Sequence, residues 1–252
     1  MDCKKALEES NGDFEKAVEI LRKKGQKVAA NRADRESSEG VVLAKVSDDN
    51  KYGIIISLNC ETDFVAKNEE YIQLAQSLAS HALNYSDKDS FLNSEFEGMK
   101  VSDKLLEQTG VIGEKIEIGS FEYLESEFVG SYVHAGSKIA SIVGLSEKFD
   151  NADEVSKDIS MQVAAMNPVA LDENGVSQEI IEKEIEIAKD QLRQEGKPEE
   201  MLDNIAKGKL KKFFKENTLV NQQFIKDNKQ SISDYLKSCL LYTSDAADET
   251  CR

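Results

Sequence analysis

Residues 41–82 read VVLAKVSDDNKYGIIISLNCETDFVAKNEEYIQLAQSLASHA, and they decide the fold class. Two apolar, β-branched runs, Val41–Val46 and Tyr52–Leu58, predict strands, and the turn residues Asp48–Lys51 between them predict a hairpin. The apolar period then becomes helical, which predicts a helix over about Ala66–Ala82. A hairpin followed by an amphipathic helix favours an antiparallel sheet covered by that helix, in the α+β class.

The same order of elements occurs again in the middle of the chain. Val129–Val133 and Ile139–Leu145 predict strands around the loop 134–138, and a helix is predicted from about Glu154 to Met166. We interpret the two units as a diverged internal duplication, with chance similarity as the alternative.

Two further segments predict strands between the two units. They are Val111–Ile118 and Phe121–Glu125, and we assign both to the second sheet.

The N-terminal region predicts helices without a sheet. Asp2–Lys24 reads as two short helices, broken at Asn11-Gly12, with Asp13 placed to cap the second. Two such helices expose more apolar surface than they bury against each other, which predicts a third helix before Met1. The polar composition from Gly25 onward is typical of a linker.

The second half of the chain is mainly helical. Ser177 to about Lys215 predicts two helices joined at Gly196-Lys197-Pro198, which is a helical hairpin. The hairpin either projects as an interaction surface or packs along its own sheet, and the sequence favours neither. Residues from Cys239 fit no pattern.

These patterns divide the chain into seven segments. They are a partial helical module (1–25), a linker (26–40), two related antiparallel sheet-plus-helix core subdomains (41–100 and 101–176), the helical hairpin (177–216), a return to the second subdomain (217–238) and a tail (239–252).

Composition disfavours several classes of partner. The 252 residues carry a net charge of -16, which repels phosphate backbones and anionic lipid headgroups. No apolar run reaches the roughly 20 residues that cross a bilayer, and the N-terminus lacks the order of a signal peptide. We therefore expect a cytoplasmic protein that binds neither a membrane nor nucleic acid directly.

The sequence predicts no catalytic site, metal or cofactor. It contains no GxxxxGK[ST] phosphate loop, no GxGxxG after a strand, no GxSxG and no HExxH. Its four cysteines include no CxxC pair, and its two histidines are far apart. Enzymatic activity is therefore not expected.

Residues 62–65 have two interpretations. Thr62 or Asp63 can cap the following helix while Phe64 packs against it, and periodicity alone favours this structural role. Alternatively, Phe64 protrudes as an apolar wedge beside the anionic Asp63 and inserts into a partner protein. His134 lies at the tip of the second hairpin, where a lone histidine is usually solvated.

Several motifs resemble the bacterial translation elongation factor Ts family. They occur in the family's order and span about Met1 to Ser238: MDCKKAL at 1–7, NGD at 11–13, NCETDFVAK at 59–67, YVHAGSKI at 132–139, MQVAA at 161–165 and GKP at 196–198.

The resemblance implies a guanine-nucleotide exchange factor that binds elongation factor Tu. It implies a ubiquitin-associated-like N-terminal module, two related core subdomains and an inserted helical hairpin. The family's Asp-Phe pair falls on Asp63 and Phe64, which would enter the partner near its magnesium and phosphate site, with Thr62 and Val65 shaping the loop. The other implied contacts with the partner are His134, Met1 and Lys4.

Two departures and two alternatives accompany the resemblance. The first helix of the family's module is missing, and the family pattern ends after Ser238, which predicts a chain truncated at both ends with a non-native tail. A protein-binding scaffold without exchange activity is the alternative function. A homodimer through the helical region is a further possibility, because family members differ in oligomeric state.

Overall fold

A computed structural model describes residues 2–239 of the chain. The chain divides into two compact units between Ser146 and Glu147. Helices and small antiparallel sheets occur together, which confirms the α+β class. None of the helices described is both long and apolar enough to cross a membrane.

The elements of the first unit follow in chain order. They are α1 (Asp2–Glu9), α2 (Phe14–Asn31), β1 (Glu39–Val46), β2 (Tyr52–Cys60), α3 (Asp63–Ala66), α4 (Glu69–Ala82), α5 (Lys88–Asn93), β3 (Glu95–Phe96), β4 (Met99–Lys100), α6 (Val101–Ile112), β5 (Glu117–Glu125), β6 (Phe128–Val133) and β7 (Ala140–Leu145).

The elements of the second unit are mainly helical. They are α7 (Ala152–Met166), a 3-10 turn (Glu173–Gly175), α8 (Gln178–Gln194), α9 (Glu199–Asn217), a second 3-10 turn (Leu219–Asn221), β8 (Gln223–Phe224), β9 (Asp227–Ser231) and α10 (232–239).

The central sheet of the first unit has the order β1-β2-β5, with both pairs antiparallel. The central strand β2 is almost fully buried, and α4 packs against β1 and β2. Tyr71 of α4 donates its hydroxyl hydrogen to the Leu58 carbonyl at 2.7 Å, which fixes the helix on the end of β2. The first predicted hairpin and the helix after it are therefore confirmed.

The assignment of the intermediate strand to the second sheet was wrong. β5 begins only at Glu117 and pairs with β2, while α6 extends to Ile112 and so includes the start of the predicted strand. Strand propensity identifies extended residues but not the strand with which they pair. The chain forms four helices after β2, and β5 then pairs with the free edge of β2. β6 and β7 form their predicted hairpin with each other.

The helix predicted from about Ala66 begins at Glu69, and Ala66 belongs to a separate short helix, α3. α3 ends at Ala66, and α4 starts afresh because the Asn68 side chain accepts the N–H groups of Glu70 and Tyr71. This restart leaves α3 as a single turn directly after β2.

The N-terminal helix α2 continues through the start of the predicted linker to Asn31. Gly25, at the predicted boundary between the helical module and the linker, is buried where α2 crosses α6 at Gly110. A Cβ built on Gly110 would lie 2.6 Å from the Cα of Gly25, so position 110 must lack a side chain, and a Cβ on Gly25 would lie 3.1 Å from the Leu106 carbonyl oxygen. The predicted break at Asn11-Gly12 and the Asp13 cap are confirmed. Part of the apolar surface that we expected a preceding helix to cover is thus covered by α6.

The predicted helical hairpin is confirmed in the second unit. α8 and α9 pack against each other and bury Ala188, Leu192, Leu202 and Ala206. Cys239, placed in the predicted tail, is buried as the last residue of α10 that the structure describes, and residues 240–252 lie outside the described part.

Candidate functional site

Phe64 is the most exposed large apolar side chain among those the structure describes. It lies on α3, the single turn that follows the central strand, and 82% of its surface is accessible. On the same turn Ala66 is buried and Val65 packs against the core. The turn is therefore anchored by its inward residues while Phe64 projects outward, and the interpretation of Phe64 as a packed staple was wrong.

Asp63 lies beside Phe64 and is paired within the same turn. Its carboxylate accepts a hydrogen bond from Lys67 Nζ at 2.6 Å. This bond, with a smaller contribution from Lys138, holds the pKa of Asp63 below its usual value. Asp63 is therefore an anion at neutral pH, next to an exposed aromatic ring.

Thr62 occupies the N-cap position of α3 but does not cap the turn with its side chain. Its hydroxyl donates instead to Glu114 Oε1 at 2.7 Å. The other oxygen of Glu114 accepts the N–H groups of Glu61 and Thr62 at 3.1 and 3.0 Å. The capping role predicted for Thr62 or Asp63 was thus wrong, because the Thr62 hydroxyl is bonded to Glu114 and the Asp63 carboxylate to Lys67.

Glu61 has its own set of partners. Both of its carboxylate oxygens lie 2.7 Å from Arg32 Nη1, at the end of α2, and one accepts the Lys115 N–H at 2.7 Å. The bond from Lys115 and the neighbouring Arg32 guanidinium lower the pKa of Glu61. The start of the turn is therefore linked to the last residues of the N-terminal helical region.

A depression of about 380 Å³ lies beside the turn. Thr62, Phe64 and Val65 line it from one side, and Val111 and Glu114 line it from the α6 side. Val111 is 75% exposed, so two exposed apolar side chains flank the same depression. A partner that takes up Phe64 would meet Val111 on the same surface.

The loop of His134 lies at the same end of the central sheet. The Val42 N–H donates to the Ser137 carbonyl at 2.7 Å, and Lys138 pairs with Glu39, the first residue of β1. Glu39 is opposite Cys60, the last residue of β2, and the Thr62–Val65 turn follows Cys60 directly. The hairpin tip is therefore next to the turn, with His134 exposed and its Nδ1 hydrogen-bonded to the Tyr132 hydroxyl at 2.9 Å.

The structure connects the N-terminal candidates, Lys4 and Met1, to the Thr62–Val65 turn less directly. Lys4 is exposed on α1 and its ammonium lies 3.8 Å from Glu8, while Met1 lies outside the described residues. Cys3, next to Lys4, lines a second depression of about 360 Å³ that reaches Val111. The N-terminal helices therefore extend to the edge of the surface that carries Phe64.

Sequence reasoning missed three residues of this site: Glu61, Val111 and Glu114. Val111 was placed in a strand, and Glu61 and Glu114 received no role. The contact between Thr62 and Glu114 joins residues 52 positions apart, and no local pattern signals such a contact. In residues 2–239, no three His, Cys, Asp or Glu side chains are grouped as a metal site would require.

The comparisons with known proteins agree with the motifs. The family model described as elongation factor TS matches residues 61–243. Elongation factor Ts of Christiangramia forsetii is 66% identical over 238 residues, covering 94% of this chain and 87% of the relative. That of Flavobacterium psychrophilum is 60% identical with the same coverage, and that of Porphyromonas gingivalis is 47% identical over 239 residues, covering 94% and 86%.

An α+β chain in which the most exposed aromatic ring of the described residues projects from a braced turn has the features of a protein-interaction factor. The comparisons make this specific, because the chain belongs to the elongation factor Ts family, whose members act in translation elongation. The family model matches as far as residue 243, and the alignments with the first two relatives each cover 238 residues.

Proposed function

We propose that this chain is a guanine-nucleotide exchange factor, not an enzyme with a catalytic site of its own, that binds elongation factor Tu·GDP and promotes release of GDP. The observation that carries the proposal is the exposed Phe64 ring beside the ionised Asp63 on a turn anchored to the core. Burying a phenylalanine side chain contributes about 1.5–3 kcal/mol, and in the free chain most of this remains available for a partner.

The proposed mechanism is a shift in the partner's conformational equilibrium. Asp63 and Phe64 enter the partner near its magnesium and phosphate site and stabilise an open state that holds the nucleotide poorly. By linkage, if this chain lowers the affinity for GDP, GDP lowers the affinity for this chain by the same factor. No covalent step is needed, and Thr62, Val65 and His134 shape or border the contact.

Lys4 and Met1 are proposed as contacts from a ubiquitin-associated-like module, followed by two related core subdomains, of which the first includes β5 because β5 pairs with β2. We further propose that the chain acts in the cytoplasm on both GDP-bound and nucleotide-free elongation factor Tu, without direct contact to nucleic acid or membrane. The net charge of -16 supports the last two points.

The decisive experiment follows release of a fluorescent GDP from elongation factor Tu. We expect the parent chain to accelerate release and the double variant Asp63→Ala, Phe64→Ala to be at least about tenfold slower. Leu171→Ala is a matched control, because Leu171 is also an exposed apolar side chain but lies in the second unit.

Two outcomes would contradict the proposal. If the double variant exchanged as fast as the parent, the wedge mechanism would be wrong. If the parent bound elongation factor Tu without accelerating release, the chain would be a scaffold. Circular dichroism of the double variant should match the parent, since both substituted side chains are at the surface.

A further inference from the structure

Glu114 occupies the short connection between α6 and β5. α6 ends at Ile112, its C-cap residue Gly113 adopts a left-handed conformation with φ of 81°, and β5 begins at Glu117. This abrupt stop brings the Glu114 side chain to the backbone of residues 61 and 62, at the end of the central strand.

Three donors of the turn converge on this one carboxylate. Oε2 accepts the N–H groups of Glu61 and Thr62, and Oε1 accepts the Thr62 hydroxyl. Hydrogen bonds to an ionised acceptor are stronger than bonds between neutral groups. The carboxylate therefore fixes both the backbone and the side chain at the entry to the turn.

Glu61 reciprocates this contact. Its carboxylate accepts the N–H of Lys115, the residue after Glu114, and pairs with Arg32 at the end of α2. Each glutamate thus binds the backbone beside the other. We call this arrangement, formed by Glu61 and Glu114, the carboxylate clamp.

The clamp matters because Phe64 has little contact of its own. A ring with 82% of its surface accessible is not oriented by packing, so its direction depends on the backbone that carries it. Glu114 holds this backbone at Thr62, two residues before Phe64.

We infer that Glu114 is a positioning residue for Phe64, acting through the carboxylate clamp, and that Arg32 connects the clamp to the N-terminal helices. The inference rests on the proposed function of the Thr62–Val65 turn. Glu114 touches neither nucleotide nor magnesium in this proposal; it acts only by holding the turn that presents Phe64.

The first test needs no partner. Hydrogen exchange at the amides of Glu61 and Thr62 should become at least about tenfold faster in Glu114→Ala than in the parent. Glu114→Gln retains a carbonyl oxygen as acceptor and should restore most of the protection. Unchanged exchange in Glu114→Ala would overturn the clamp.

The second test measures exchange kinetics on elongation factor Tu at varied concentrations of the factor. We expect Glu114→Ala to lower the maximal rate of GDP release about tenfold, with the half-saturating concentration changed by less than about threefold. A merely structural role would reduce the active fraction and leave the kinetics of the folded molecules unchanged. Glu114→Gln should remain within about threefold of the parent, as should Glu122→Ala, which removes an exposed glutamate from β5.

A double-mutant cycle then identifies the route of the effect. If Glu114 acts through Phe64, adding Glu114→Ala to Phe64→Ala should slow release by less than about twofold further. Full additivity would overturn the inference. If Glu114→Ala fails to fold, Thr62→Val removes one bond of the clamp and should give the same pattern at smaller amplitude.

The outcomes separate the two proposals. If Phe64→Ala slows release and neither Glu114→Ala nor Thr62→Val does, only the positioning role is wrong. If Phe64→Ala exchanges as fast as the parent, the proposed wedge is wrong and the positioning role falls with it.

Discussion

Asp63 and Phe64 are neighbours on one turn, but different forces act on them. Asp63 is held by Lys67 within its own turn, while Phe64 makes little contact and Ala66 is buried beneath. One turn of helix thus contains an anchored residue, a paired charge and a free apolar ring. The local sequence allows this division, but only the packing of Val65 and Ala66 decides which side of the turn faces the core.

His81 illustrates how burial changes the ionisation of a residue outside the site. Its ring lies among Tyr85, Phe91 and Phe96, with ring centroids 5.2, 6.0 and 5.3 Å away. Ser94 donates its hydroxyl hydrogen to the Phe91 carbonyl, so the 2.8 Å contact with His81 Nε2 requires His81 as donor. Desolvation lowers the pKa of His81 below 6.5 and favours the neutral ring.

The lowered pKa predicts a loss of stability in mild acid. Between the folded pKa and 6.5 the unfolded chain binds more protons at His81, so the free energy of unfolding rises with pH. The contribution is complete above pH 6.5 and is lost as the pH falls through the folded pKa. Urea unfolding between pH 5.5 and 7.5 should therefore show a smaller rise in midpoint for His81→Gln than for the parent. Parallel profiles for the two proteins would contradict this prediction.

At the scale of elements, the crossing of α2 and α6 joins the N-terminal helices to the rest of the first unit. Gly25 and Gly110 allow the two backbones to meet, and α6 then leads directly to Val111 and Glu114 of the candidate site. The same helix therefore packs on the N-terminal region and supports the turn that presents Phe64.

The crossing predicts opposite effects for two glycine-to-alanine substitutions. Gly110→Ala places a Cβ against the Gly25 backbone, and overpacking of this kind costs about 1–3 kcal/mol, more than the gain of about 0.5–1 kcal/mol in helix propensity. Gly208 in α9 has nothing within 4 Å of a Cβ, so Gly208→Ala should raise stability by about 0.5–1 kcal/mol. Urea unfolding would measure both.

The location of the stability change is a further check on the two substitutions, Gly110→Ala and Gly208→Ala. Gly110→Ala should increase hydrogen exchange in α1 and α2, whereas Gly208→Ala should leave these helices unchanged. Equal stabilisation by both substitutions would show that α2 does not cross α6 closely in solution.

Hairpins between neighbouring segments could be predicted from the sequence, whereas pairings between segments far apart in the chain could not. The turns at Asp48–Lys51 and Gly196–Pro198 lie between segments of clear period, and both hairpins formed as predicted. β5 was assigned to the wrong sheet. Its pairing with the edge of β2 depends on how the four intervening helices pack, because their packing places residues 117–125 beside β2. The length of α2 was missed because the buried Gly25 is read locally as a breaker.

At the scale of the whole molecule, the two units carry different exposed surfaces. The first presents Phe64 and Val111 near the hairpin tip, and the second presents the α8–α9 hairpin, whose apolar residues mostly bury one another. Among the large apolar side chains of the α8–α9 hairpin, Ile187 and Met201 are exposed, at 40% and 53% of their surface. A homodimer through the helical region would use this part of the hairpin.

The homodimer remains a prediction with a direct test. Light scattering should give twice the chain mass of 28.1 kDa, and Met201→Glu should return the mass to that of one chain by placing a charge in the contact. Leu171→Glu, an equally drastic change outside the hairpin, should leave the dimer intact. A single-chain mass for the parent at micromolar concentration would show that the prediction is wrong.

The sequence by itself determined the α+β class, both β-hairpins, the helical hairpin and the position of residues 62–65 between a strand and a helix. These features depend on the period of apolar residues and on turn chemistry, which act over a few neighbouring positions. Only the tertiary structure decided that β5 completes the first sheet, that Phe64 projects outward and that Glu114 braces its turn. Each of these depends on contacts between residues more than fifty positions apart or on burial, which a local pattern does not encode.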